Sequence, residues 1–254
     1  MARAMIAGLL DKGLLSKGSL SCVSGSGKTA QSLAEKTGIG RAATRLELLQ
    51  DSQTIVLAFK PQHLDTISSE EGAAAEDRLV VSVLAGRSME SLRAAFPLAR
   101  NIVRVMPNTP SRIGQGVSAY CFLESPSSSD RQWVEALLGA LGTYHEVREE
   151  QMHVVTAVSG CGPAVFFQFV NFIADAASKR GLDRNTATQL AIETGVGSLN
   201  LMAQSDRSPA ELVDEVVSPN GVTHALLTSL SESEWARIID QGMDAAVKRS
   251  IELS

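Results

Sequence analysis

Aromatic residues make up only 4% of this 254-residue chain, and cysteine is as scarce: Cys22, Cys121 and Cys161 stand far apart with no C-x-x-C pair. An odd, dispersed set of thiols excludes a disulfide framework and a structural zinc site, and it predicts a reducing, cytoplasmic location with no metal. Charge of one sign is also missing. The net charge is −5, and the Lys and Arg residues are scattered, which leaves no basic patch for a nucleic-acid partner. No run of about 18 consecutive apolar residues is present, so no membrane span is expected. The first ten residues lack the cleavage features of a signal peptide. What is there is ordinary for a globular protein: 44% hydrophobic and 20% charged residues, enough for one large domain or two medium ones.

Four short runs rich in Val and Ile, residues 20–23, 54–59, 79–84 and 102–106, each end in a polar or Gly/Pro turn and read as strands buried on both faces. Helical patterns lie between them, at 28–36, about 44–50, about 62–68 and 88–95. Such alternation predicts a parallel, doubly wound Rossmann-type sheet that binds a nucleotide at the carboxyl ends of its strands. Residues 116–123 and 143–147 read as two more strands. A helix between them opens at Ser129, with Gln132 three residues on as a capping box. This α/β half spans residues 1–150.

From 151 to 254 the strand signal disappears and an all-helical domain is expected. Ser208, Pro209 and Glu211 form an N-cap, N1 and N3 series, and Ser231 with Glu234 repeats the N-cap and N3 pattern for the last helix. In the helix at 164–177, Val165, Phe166, Phe167, Phe169, Val170, Phe172 and Ile173 wrap nearly the whole circumference. A helix of that kind is covered on all sides, which predicts that a second subunit supplies part of the cover in a homodimer or larger homo-oligomer.

The first helical pattern, residues 1–12 closed by Gly13, has no strand before it, unlike every later helix of this half. In a doubly wound sheet the first strand is central, and its turn into the first helix carries the phosphate-binding glycines. The expectation is that the recorded sequence begins late.

The Ser24-Gly25-Ser26-Gly27-Lys28-Thr29 segment follows a strand and opens a helix, a place suited to a phosphate. A P-loop would need glycine at position 22, where this chain has Cys22, and a strand ending in a metal-binding aspartate, where residues 55–59 run into Lys60 and Pro61. The alternative is the adenosine-ribose corner of a dinucleotide site. An acidic residue there would select NAD. Ser24, Ser26 and Lys28 instead favour the 2′-phosphate of NADPH, with NADH possible. A plain flexible turn before a helix is the structural alternative.

Three further segments gain meaning from their order: Lys60-Pro61-Gln62, Met106-Pro107-Asn108-Thr109-Pro110 and Ser159-Gly160-Cys161-Gly162-Pro163-Ala164, followed by Ser218-Pro219-Asn220-Gly221-Val222-Thr223. Together they resemble the K-P-Q, M-P-N-T-P, S-G-S-G-P-A and S-P-G-G-T-T-like signatures of the pyrroline-5-carboxylate reductases, over almost the whole chain. The resemblance implies NADPH-dependent reduction of 1-pyrroline-5-carboxylate to L-proline. It implies that Ala58, Lys60, Pro61, Ala85, Gly86 and Asn108 line the ribose and nicotinamide. Ser218, Asn220, Gly221, Val222 and Thr223 would hold the substrate, with the Thr223 hydroxyl at the ring nitrogen as the catalytic contact. The turns before residues 163 and 222 are both expected to expose free backbone N–H groups suited to a small carboxylate. The two halves are expected to meet at a cleft holding both ligands.

Asn220 replaces a glycine of that pattern, Val222 a small residue, Cys161 a serine, and His153 an aspartate. Asn tolerates a positive φ, and Cys is close to Ser in size. Neither a lone helical histidine nor Cys161 without an adjacent base is expected to act in catalysis. A second class of function, an inactive or partner-binding paralogue lacking the phosphate-binding glycine loop, is the competing reading.

Overall fold

A computed structural model describes residues 1–254. Helix α1 (Ala2–Asp11) ends as its sequence predicts. Gly13 takes φ +65°, its N–H donates to the Leu10 carbonyl at 3.0 Å, and the Leu14 N–H donates to the Leu9 carbonyl at 2.9 Å. This pair of bonds satisfies carbonyls that the helix itself leaves free. Strand β1 (Ser21–Cys22), helix α2 (Lys28–Thr37), strand β2 (Gly40–Arg41) and helix α3 (Arg45–Asp51) follow, and β1 pairs in parallel with β2.

The main sheet has five strands in the order β3 (Thr54–Leu57), β4 (Leu79–Ser82), β5 (Asn101–Met106), β6 (Gly116–Phe122), β7 (Gly142–Glu146). Helix α4 (Ser69–Ala73) lies between β3 and β4, α5 (Met89–Ala95) between β4 and β5, and α6 (Ser128–Gly139) between β6 and β7. All pairings are parallel except β5 with β6. The strands expected to lie parallel do so, and β6, for which no direction was expected, runs antiparallel to β5 because only a 3₁₀ turn, Thr109–Ile113, connects them, too little chain for the crossover that parallel neighbours require. The expected helix at 62–68 is likewise a 3₁₀ turn, Pro61–Thr66, ahead of the short α4.

Strand alternation divides the core. Val80 and Ile102 face one layer with Leu57, Leu92 and Phe96, whereas Leu79, Val81, Val103 and Val105 face the other with Met5, Leu9, Val134 and Leu138. Period-two patterning therefore buries both faces of β4 and β5 under helices. β1 and β3 do not pair with each other, and each keeps an unpaired edge.

The chain forms two compact units, Met1–Cys161 together with Ala246–Ser254, and Gly162–Ala245. Short α7 (Met152–Val155) passes through a π-helical turn, Thr156–Gly160, into α8 (Gly162–Ser178), and α9 (Arg184–Gln204), α10 (Pro209–Val216), α11 (Val222–Glu232) and α12 (Trp235–Glu252) complete the chain. Within the second unit, α8 packs on α9.

Four local expectations need correction. Ser127, not Ser129, caps α6, because its hydroxyl accepts the Asp130 N–H at 3.1 Å. Ser231 lies in the last turn of α11, and Glu234, at φ +54°, breaks the chain before α12 rather than serving as its N3. The Gly160 to Pro163 segment does open a helix, α8, with Pro163 in its first turn, where proline is tolerated, but the Cys161 N–H is not free: it donates to the Thr156 carbonyl at 2.9 Å and closes the π turn. Finally, the helical run Glu149–Ser178 does contain an 18-residue window of mean hydropathy 1.4, long and apolar enough to cross a membrane; a few interspersed polar residues hide it from a search for unbroken apolar runs. The Ser208–Glu211 capping box, by contrast, forms as expected.

Candidate active site

The turn after β1 presents backbone rather than side chains. Gly25 and Gly27 have open space where a Cβ would stand, and Gly27 sits at φ +71°, a conformation that L side chains resist. Gly27 is the N-cap of α2 and supplies no side-chain cap, so N–H groups of the first turn are available to an anion. Ser24 is already half committed: its hydroxyl oxygen accepts the Ala30 N–H at 3.0 Å, leaving the hydroxyl proton to donate. Ser26 and Lys28 are exposed beside it. A phosphate-bearing cofactor fits this cradle.

The other expected cofactor residues stand at the ends of neighbouring parallel strands. Ala58 and Lys60 are exposed after β3, where Pro61 opens the 3₁₀ turn. Ala85 is exposed after β4, and Gly86 is buried at φ +78°. A Cβ on Gly86 would stand 2.8 Å from the Leu253 carbonyl oxygen, so both conformation and space demand glycine. Asn108, after β5, is 9% exposed, and its side-chain oxygen accepts the Val117 N–H at 2.9 Å. That carboxamide braces the start of β6, which leaves its NH₂ end as the part able to meet a ligand.

In the helical unit, Ser218 to Gly221 form a tight turn closed by the Gly221 N–H on the Ser218 carbonyl at 2.9 Å. Asn220 takes φ +58°, the left-handed conformation that asparagine tolerates best after glycine. A Cβ at Gly221 would collide with the Ser218 hydroxyl. Gly221 caps α11 without a side-chain bond, so the N–H groups of Val222 and Thr223 point out of an exposed helix start. Val222 is 90% exposed and Thr223 half-buried. These residues can grip a small carboxylate and present one hydroxyl beside it.

The structure also shows a polar cluster that sequence reading missed. Arg104 is buried on β5 and pairs with Glu149 at 3.2 Å, and the same carboxylate accepts the Met89 N–H at 2.6 Å. His153, half-buried nearby, shares a 2.9 Å hydrogen bond with the Ser250 hydroxyl. Burial, and then the Arg104 charge, push its pKa below the usual histidine range. A neutral imidazole bonded to a serine is a structural fastening, as expected for a lone helical histidine. Glu149 lies 45 residues from Arg104 and 60 from Met89, so no local pattern announces the cluster. A second missed residue, Arg87, ties together two of the turns described above, through bonds to the Pro61 carbonyl and to Asp65. Two of the signature segments also touch: a Cβ on Gly160 would meet the Met106 side chain.

Residues 149–253 match the family model for pyrroline-5-carboxylate reductase dimerisation, and residues 1–86 match that of NADP oxidoreductase, coenzyme F420-dependent. A pyrroline-5-carboxylate reductase of Pseudomonas aeruginosa is 34% identical over 256 residues, covering 100% of this chain and 93% of that protein. Pyrroline-5-carboxylate reductase 1 of Bacillus subtilis is 31% identical, covering 100% and 86%. Among solved structures, the Plasmodium falciparum pyrroline carboxylate reductase with NADP bound superposes with a TM-score of 0.85 at 27% identity, over 98% of this chain and 93% of that one. The Coxiella burnetii pyrroline-5-carboxylate reductase gives 0.87 at 26%, over 100% and 94%. This chain belongs to the pyrroline-5-carboxylate reductase family.

Proposed function

We propose that the protein reduces 1-pyrroline-5-carboxylate to L-proline with NADPH, NADH being the weaker alternative, and that it works as a homodimer or larger homo-oligomer in the cytoplasm. The observation that carries this reading is the joint presence of two kinds of turn. One set, at the ends of parallel strands, is open and glycine-lined. The other is the Ser218–Gly221 turn that leaves the start of α11 uncapped.

The bound cofactor would supply a hydride to the imine carbon. The residues of the chain do the rest. Ser24, Ser26 and Lys28 hold the 2′-phosphate, and Ala58, Lys60, Pro61, Ala85, Gly86 and the Asn108 NH₂ group shape the space for ribose and nicotinamide. Ser218, Asn220, Gly221 and the N–H groups of Val222 and Thr223 hold the substrate carboxylate. The Thr223 hydroxyl accepts from the ring N–H of the protonated imine, orienting an electrophile that needs no further activation. Holding the reactants in a fixed geometry supplies much of the rate in such a reaction. No strong acid or base is required, in keeping with His153 serving as a fastening.

The decisive experiment is NADPH oxidation by the purified chain in the presence of pyrroline-5-carboxylate, with proline measured as product. Formation of one proline per NADPH consumed supports the reading. Binding of either ligand without turnover would favour the partner-binding paralogue.

A further inference from the structure

Two of the strand-end turns are fastened to each other by one side chain. Arg87 follows Gly86 directly, and its Nε donates to the Pro61 carbonyl at 3.0 Å. Its two terminal nitrogens donate to the two oxygens of Asp65, at 3.1 and 2.8 Å. Each of the three guanidinium nitrogens is thus engaged, two of them in a fork on one carboxylate, which fixes direction as well as distance. Arg87 is largely buried, 18% exposed, whereas Asp65 is open at 68%. Leu253 also lies against Gly86, so the turn after β4 is held at two points. The consequence is a fixed spacing between Lys60-Pro61 on one strand end and Ala85-Gly86 on the next.

We propose that Arg87 is a positioning residue for the dinucleotide: through the Pro61 carbonyl and the Asp65 carboxylate it sets the separation of the two turns between which the cofactor binds. It touches neither ligand. This inference rests on the reading that those turns line the cofactor, and it adds the element that keeps them in register before the cofactor arrives. Preorganisation of that kind lowers the ordering cost of binding, so its loss appears in affinity for the cofactor rather than in the chemical step.

The test is Arg87→Ala, with Arg87→Lys and Lys60→Ala beside it, each assayed for NADPH affinity by direct titration and for steady-state kinetics. For Arg87→Ala the expected result is a rise in the Kd and KM for NADPH of about tenfold, because the two turns must then be ordered as the cofactor binds. Its kcat and its KM for the imine should stay within about twofold, because a loss of binding alone leaves the chemical step intact. Arg87→Lys, which keeps the charge without the fork, should recover only part of the affinity. A general loss of folding would lower the active fraction and the melting temperature without raising the NADPH Kd of the folded remainder. An unchanged Kd in Arg87→Ala alongside a weakened Lys60→Ala would overturn the role of Arg87 while leaving the cofactor turns in place. An unchanged Kd in both would overturn the assignment of the turns as well.

Discussion

In the proposed reaction, Thr223 is the single side chain on which the chemistry of the substrate turn would depend. Its backbone already faces outward from the start of α11, so its removal would spare the carboxylate grip and take away only the hydroxyl. Thr223→Ala is expected to lower kcat/KM by about 10- to 100-fold, corresponding to ~1–3 kcal/mol for a hydrogen bond made to the reacting group. Steady-state kinetics with a saturating cofactor would check it, and wild-type values would remove the hydroxyl from the mechanism. Lys28 poses the matching question for the cofactor. In the same turn Ser24 is half occupied by the Ala30 N–H and carries no charge, so in the proposed site Lys28 would be the main source of charge for a 2′-phosphate. Lys28→Ala should therefore cut the preference for NADPH over NADH by about tenfold, the loss of one charged hydrogen bond. Equal discrimination in mutant and wild type would move the 2′-phosphate elsewhere. The turns that carry both residues were legible because they leave a local trace of Gly, Ser, Pro and Asn. Arg87, Arg104 and Glu149 were not, because their partners are distant in the chain.

Among the elements, α6 shows how a helix end is fixed by more than its own sequence. Ser127 caps it, and Asp130, in its first turn, is buried against Arg100 just before β5, with contacts of 3.1 and 2.7 Å. The hydrogen bond from Arg100 holds the Asp130 carboxyl below the usual carboxylate range, against the opposing effect of burial. A carboxylate with a lowered folded-state pKa binds its proton less readily when folded, so its contribution is complete above the unfolded value of about 3.9 and is lost as pH falls through the folded pKa. Asp130→Asn should therefore be less stable than wild type at neutral pH, and the difference should shrink steadily as pH is lowered below about 4. Denaturant unfolding at a series of pH values measures it, and a gap that stays constant with pH would exclude the charged pair as its cause. The sequence pointed to Ser129 as the cap because Gln132 sits three residues on. The fold selected Ser127 instead, whose spacing brings Asp130 to Arg100. At Thr156–Gly160 the chain passes through a π turn that no local pattern announces, before α8 opens at Gly162 as its glycine and proline suggest.

For the molecule as a whole, the helical unit leaves large apolar groups uncovered within a single chain. Phe166, Phe167, Phe169 and Phe172 are each more than half exposed, and Ala164, Val165, Gln168, Phe169, Phe172 and Ile239 line a shallow, almost wholly apolar groove. Patches of this kind on a soluble protein mark an interaction face, and the family match over residues 149–253 gives dimerisation as that use. Phe172→Glu should shift the protein from dimer or larger assembly to monomer in light scattering behind size-exclusion chromatography. It does so by placing a charge where burial is required. An unchanged mass would relocate the interface. The apolar stretch within Glu149–Ser178 that passes for a membrane span is explained by the same need for a covering subunit.

Composition and periodicity by themselves determined most of the strands and helices, the mixed character of the first part and the helical character of the second, and the Gly- and Pro-marked turns at the strand ends, because each depends on residues close together in the chain. Only the tertiary structure decided that β6 runs antiparallel to β5, which serine caps α6, and that Arg87 and Arg104 bind partners far along the chain. Those outcomes depend on which backbone lies beside which after folding, and short-range patterns carry no record of it.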